Sequence, residues 1–292
     1  MNTRYTFAIL TLFAVTLLPV KAQVTLTFDT VPYHSLSDPG LGLEETEVLS
    51  NTTTLAFAYP IRLRSSRTQL RVGFVGEYRE FEYRGSARRT PNIHDLYAGG
   101  LSLHLTHSLS ARWSLLSIVT PGVASDFRAK LRDDDFNIQA VVAAIRHMSP
   151  NFSFGIGAAY STQFGQPVPI PVVLLDWNNG KRLRWTTFLP SSSELWYAHS
   201  VQARFGMIAQ VTGNNFQGDP ARYPTGDPQL RYAVVTVGPS AHVVLAPTMA
   251  LQVDAGVVPY QRLELYDGTA EIESFGLKES AFLRLGFHWG GG

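Results

Sequence analysis

Ser280-Ala281-Phe282-Leu283-Arg284-Leu285-Gly286-Phe287-His288-Trp289 closes the chain on two interleaved patterns. Ala281, Leu283, Leu285, Phe287 and Trp289 take one set of alternate positions, and Ser280, Phe282, Arg284, Gly286 and His288 take the other. Successive side chains of a strand point to opposite faces, so this stretch has one apolar face and one mostly polar face. A soluble sheet would turn the apolar face inward. Here the alternation recurs along nearly the whole chain behind an export signal, the pattern of a transmembrane β-barrel that shows its apolar face to lipid.

Met1–Ala22 reads as that signal. Arg4 supplies the basic start, Thr6–Val20 is apolar apart from Thr6, Thr11 and Thr16, and Val20-Lys21-Ala22 places small residues before a cut at Gln23. The apolar run is short for a membrane helix, which needs ~20 residues. The chain contains no cysteine, which excludes a lipid-modified N-terminal cysteine and any disulfide. Backbone pairing and packing must hold the fold, as they do in a closed barrel. Losing Arg4 and Lys21 leaves 22 basic residues against 23 acidic ones, a balance that gives no reason to expect nucleic acid as a partner. No later stretch approaches ~18 consecutive apolar residues, so the apolar content lies in alternation. Residues 23–292 therefore form one domain, an all-β antiparallel barrel of about 12–14 strands, 14 when every candidate is counted.

In chain order, Val24, Leu26 and Phe28 oppose Thr25, Thr27 and Asp29, and Leu70, Val72, Phe74 and Tyr78 oppose Gln69, Arg71, Glu77 and Arg79. Tyr97, Leu101, Leu103 and Leu105 face outward, with His94, Ser102 and His104 inward. Along Phe152–Gln163 the inward positions Ser153, Gly155, Gly157, Ala159 and Ser161 are small, which leaves room in a lumen or against a packed interior. Asn178-Asn179-Gly180 predicts a tight turn. Glu194–Ala198 is a short segment and Val201–Val211 a strand; Gly213–Pro228 and Tyr266–Ser274 are predicted loops. Short and long connections alternate, as when turns lie on the periplasmic side and loops outside. Tyr59, Tyr78, Tyr97, Trp113, Tyr160, Trp177, Trp185, Tyr260 and Trp289 stand near strand ends, where an interfacial girdle belongs.

Val168-Pro169-Ile170-Pro171-Val172-Val173-Leu174-Leu175-Asp176-Trp177, then Lys181-Arg182-Leu183-Arg184-Trp185 and Leu189-Pro190, resembles a family of uncharacterised bacterial outer-membrane β-barrel domains of unknown function. The likeness is strongest over residues 152–211. It implies a barrel fold in the bacterial outer membrane and carries over no catalytic residue. The chain departs from the wider outer-membrane pattern at its tail, where Gly290-Gly291-Gly292 follows Trp289 instead of a terminal aromatic read by the insertion machinery.

The polar faces predict an interior lined by Arg71, Glu77, Arg79, Arg182, Arg184, Gln202, Arg204, Gln210, Asp254 and Arg284. Guanidinium groups would favour anions in a lumen; paired with carboxylates they would instead fill it as structural packing. Ser102 and His104 have the spacing of a nucleophile and base, but an inward pair lacks access to acyl chains, so no catalytic residue is assigned. Asp133-Asp134-Asp135 matches no cation loop and reads as a solvated charge run. No metal or cofactor is called for. The resulting expectation is a monomeric, non-enzymatic outer-membrane channel or transporter for small solutes, slightly anion-favouring, with membrane lipid and the insertion machinery as its other partners. A closed structural barrel with working surface loops is the alternative, and a lipid-modifying enzyme the least favoured.

Overall fold

The computed structural model describes residues 22–36, 46–85, 94–161, 168–221 and 226–290; the expected signal segment lies outside these apart from Ala22. Fifteen strands, almost all joined as antiparallel neighbours, account for nearly all of it. They are β1 (Gln23–Ser35), β2 (Glu47–Ile61), β3 (Thr68–Arg84), β4 (Asp95–Ser108), β5 (Trp113–Ser125), β6 (Phe136–Ser149), β7 (Phe152–Ser161) and β8 (Val168–Asn178). They continue with β9 (Leu183–Leu189), β10 (Ser192–Ala198), β11 (Ala203–Gln217), β12 (Pro228–Ala246), β13 (Met249–Asp267), β14 (Ala270–Gly276) and β15 (Ser280–Trp289).

Each strand from β1 to β13 pairs with the next, β13 pairs with β15, and β15 returns to β1 through Val24↔Trp289 to Thr30↔Leu283. Those contacts close a barrel of 14 strands, the number reached by counting every sequence candidate. Two predicted loops are strand in part. Gly213-Asn214-Asn215 continues β11 to Gln217 because β12 is long enough to pair it there, and Ala270–Gly276 folds back on β13 as β14. In both places tertiary pairing overrides a turn-rich composition.

The alternation places side chains as expected. Leu101, Ile156, Val142, Leu245, Val257 and Phe287 are among the apolar residues exposed on the outer face. A predominantly apolar outer surface of this kind is the mark of a membrane-facing wall. Every strand-end aromatic named above lies on the outward register. Trp113, Trp177, Trp185, Trp289 and Tyr59 ring the end with short turns, and Tyr78, Tyr97, Tyr160 and Tyr260 ring the end with loops. At the turn end, the side-chain oxygen of Asn179 accepts from the amides of Lys181, Arg182 and Leu183 at 3.0, 2.9 and 3.0 Å, while Gly180 takes φ 69°.

The wall is uneven. β12 and β13 run 19 residues each, but β9 and β10 only seven. The connection between β9 and β10 is the two-residue Pro190-Ser191, so the predicted alternation of short and long connections breaks there. Above these short strands the tall ones bend together, and Gln217 of β11 pairs in parallel with Ser125 of β5. Gly238 and Gly256 mark the bend. Each lies so close to the opposite backbone that a Cβ would collide with the Ala255 or Val237 carbonyl, and a bulge sits just above, between Val235 and Val237. Gly157 is small for the same reason, since a Cβ there would strike the Val142 carbonyl.

Candidate functional site

The interior divides into a cap, a polar half and an apolar half. At the loop end the inward positions become apolar: Val31, Val48, Phe81, Leu96, Phe216, Leu230, Tyr232 and Leu263 belong to one buried cluster. Phe81 on β3 meets Tyr232 on β12 edge to face with ring centroids 5.6 Å apart, a contact made across the lumen because these strands are not neighbours in the wall. Burying such an aromatic contributes about 1.5–3 kcal/mol. The loop end is therefore stoppered by a packed core.

Beneath the cap lies a cavity of about 340 Å³ edged by Asp29, Glu77, Arg79, Glu194, Asp254 and Arg284. Arg79 stacks its guanidinium 4.0 Å from the Tyr232 ring and pairs with Glu77 at 3.0 Å. Arg284 donates from Nε to Asp29 at 2.9 Å and through another nitrogen to Gln210, and stands 3.8 Å from Asp254. Asp254 is fully buried and accepts from the Ser240 hydroxyl and from Gln252 Nε2 at 3.0 Å. Buried charges of this sort survive only when paired and hydrogen-bonded, and these are. A second cavity of about 460 Å³ lies against Thr25, Ala98, Ser102, His104, Asn137 and Asn214.

Eight of the residues expected to line the interior do face it: Arg71, Glu77, Arg79, Arg184, Arg204, Gln210, Asp254 and Arg284. Arg182 and Gln202 do not. Both fall in turns beyond the wall, where alternation no longer dictates direction; Arg182 donates to the hydroxyl of outward Tyr197 at 2.9 Å. The arginines expected to favour anions are not alone on the inner face. Among the described residues the lumen-facing arginines Arg71, Arg79, Arg184, Arg204 and Arg284 are matched by the carboxylates Asp29, Glu77, Asp176, Glu194 and Asp254. Arg184 pairs with Asp176 at 2.8 Å near the turn end. Asp29 sits on an alternating strand whose polar face is plain in the sequence; the β8 face that carries Asp176 is otherwise apolar, and Glu194 is in the segment too short for its facing to be read.

The remaining candidates are placed as follows. Ser102 and His104 share the inner face of β4 with no hydrogen bond between them recorded among the described residues. Asp135 is buried, not solvated, because its carboxylate accepts from the Arg132 amide and closes a 3-10 turn. Among the described residues no three His, Cys, Asp or Glu side chains converge as a metal site.

From β5 round to β9 the inward face is different. Leu116, Ile118, Val141, Ile145, Ile170, Val172, Leu174 and Phe188 point into the barrel, facing the polar strands opposite. The lumen is two-faced.

The profile of a family described as "Domain of unknown function (DUF6268)" matches residues 20–290. No curated protein matches. Among solved structures the chain is similar to the COG4313 outer membrane channel from Pseudomonas putida F1, at 14% identity over 93% of this chain and 96% of that one, with a TM-score of 0.49. It is also similar to the Ralstonia pickettii toluene transporter TbuX, at 10% identity over 95% and 91% with a TM-score of 0.43. The translocator domain of the autotransporter NalP from Neisseria meningitidis matches at 10% identity over 98% and 94%, with a TM-score of 0.36. Similarities this remote say nothing of what the present barrel handles.

Proposed function

The chain belongs to that family of unknown function, and we propose that it is a monomeric channel of the bacterial outer membrane that passes small solutes without strong charge selection. One observation carries this reading: a wall with an apolar outside encloses cavities of about 340 and 460 Å³, the first of them lined by groups of both signs. A barrel kept only as a scaffold would gain by filling such volumes with packed side chains. The turn end faces the periplasm and the loop end the exterior, in keeping with the usual placement of turns and loops. Matched interior charges give the lumen no strong preference for either sign. We assign the barrel no catalytic role.

The cap favours a second reading, a sealed barrel whose loop end is the working part. Swelling of proteoliposomes in arabinose separates the two. Arabinose entry that depends on the protein supports the channel, and liposomes that stay as tight as protein-free ones support the sealed barrel.

A further inference from the structure

The wall is lowest at β9 and β10. A transmembrane strand needs about 9–11 residues. Seven residues, tilted as barrel strands are, rise only about 18 Å against an apolar band of about 25 Å. The floor of this notch is Leu189-Pro190-Ser191-Ser192. Its sides are the edges of β8 and β11. Residues 168–172 pair with β7 alone, and residues 212–216 with β12 alone, among the described residues.

The sequence fits an edge meant to stay open. The Asn178 amide bonds to the Asn151 carbonyl on the β7 side at 2.9 Å, so by alternation residues 169 and 171 direct their backbone groups to the notch. Both are proline and offer no amide that would need a partner. On the opposite side the Val211 amide reaches Ser191 at 2.8 Å, which sets Gly213 and Asn215 facing the notch. The Asn215 amide is met by the Asn214 side chain at 3.0 Å. What remains along the rim is mostly carbonyl oxygen. Irregular backbone is tolerated at hydrocarbon depth only where it borders protein or a filled opening.

Three facts then bear on what enters. The direct path from the loop end is stoppered by the cap. The notch lies at the depth of acyl chains. The half-buried side chains just inside it are Ile170, Leu174 and Phe188, packed over the fully buried Val172 and Ile208. We propose that this notch is the entrance for small uncharged solutes that are mostly apolar and carry a hydroxyl or similar donor, taken from the outer leaflet into the lumen. The proposal rests on the channel reading and names its substrate class.

Two measurements test it. Thr-Val inserted on each side of Pro190-Ser191 lengthens the hairpin and raises the floor. Uptake of 1-naphthol by porin-deficient cells is expected to rise with the wild-type protein and to lose that increment with the lengthened one. Because the longer hairpin can fail to assemble, the second measurement uses single nitroxide labels at Ile170→Cys and Thr27→Cys in proteoliposomes, the natural chain having no cysteine. The label at 170 is expected to be relaxed by lipid-phase oxygen far more than the label at 27, and aqueous nickel chelate to reach both. Equal oxygen relaxation at the two sites overturns the lateral entrance. So does 1-naphthol uptake that is absent, or unchanged by the longer hairpin, while wild-type proteoliposomes admit arabinose; the channel reading then stands alone. If neither solute passes, both fall.

Discussion

Gln217 of β11 is clasped to Ser125 of β5, although five strands separate them round the wall. The Ser125 hydroxyl and the Asp126 amide donate to the same Gln217 carbonyl, at 3.0 and 3.1 Å. The Asp126 carboxylate then ties the two sides, accepting from the amides of Arg128 and Asp219 at 3.1 Å each. The cap exists because this clasp joins tall strands above short ones.

Asp126→Ala is expected to loosen the clasp by about 1.5–3 kcal/mol, the range for a hydrogen bond to a charged group. Amide hydrogen exchange at residues 217–219 should accelerate, while exchange at the turn end of the same strand stays as it was. Asp126→Asn, which keeps an acceptor, should show a smaller effect.

Arg284→Ala strips the partner from Asp29 and leaves the fully buried Asp254 without its nearby cation. Breaking a buried pair from one side costs about 3–5 kcal/mol. The urea midpoint for unfolding from lipid vesicles should fall accordingly. Asp254→Asn should fall less, because the amide oxygen can still accept from Ser240 and Gln252.

Gly238→Val should prevent assembly, since the new side chain has only the Ala255 backbone to occupy. Gly99→Ala is the control. The nearest atoms to its Cβ, on the Phe74 ring, lie 3.8 Å away, and the folded yield should match the natural sequence. Equal yields of the two variants would refute the account of the bend.

His34 gives the loop end a pH dependence. It is buried where β1 meets the Leu36–Leu277 bridge, above the apolar belt, with Nδ1 2.7 Å from the Pro32 carbonyl. Burial holds its pKa below the ordinary 6.5, although the contacts with Pro32 and Gln261 work the other way. The folded rim thus prefers the neutral ring, and its unfolded form binds protons first as the solution acidifies. This contribution is whole above the ordinary value and is lost as pH falls through the lowered one. Exchange at Leu36 and Leu277, corrected for its intrinsic rate, should quicken between neutral pH and mildly acidic pH. His34→Gln should abolish that dependence.

Four tryptophans point outward and Trp196 points inward. Brominated phospholipid should quench a variant retaining only Trp185 and spare one retaining only Trp196. Equal quenching would mean that the register of β10 is wrong.

The barrel was legible in the sequence because a period of two is an unambiguous local signal wherever one face is apolar. Leu283-Arg284-Leu285 alone sets which way Arg284 points. What stayed hidden depends on partners distant in sequence. Gly213-Asn214-Asn215 has the composition of a turn, and only the length of β12 makes it strand. Arg182 and Gln202 continue a strand's parity on paper but lie past the last paired residue. The balance of interior charge could not be read from the arginines alone, since Asp29 reaches Arg284 across 255 positions. The cap was equally invisible: Phe81, Phe216 and Tyr232 meet only because Gln217 reaches Ser125.

Asp29 and Arg284 also sit directly opposite one another on the first and last strands, at the seam where the sheet joins itself. A slip of one residue there would swing the arginine out among acyl chains and leave both aspartates without it in the lumen. The ion pair therefore acts as a proofreading latch: a cylinder sealed out of step finds no comfortable place for its charges, and only the correct register can be completed.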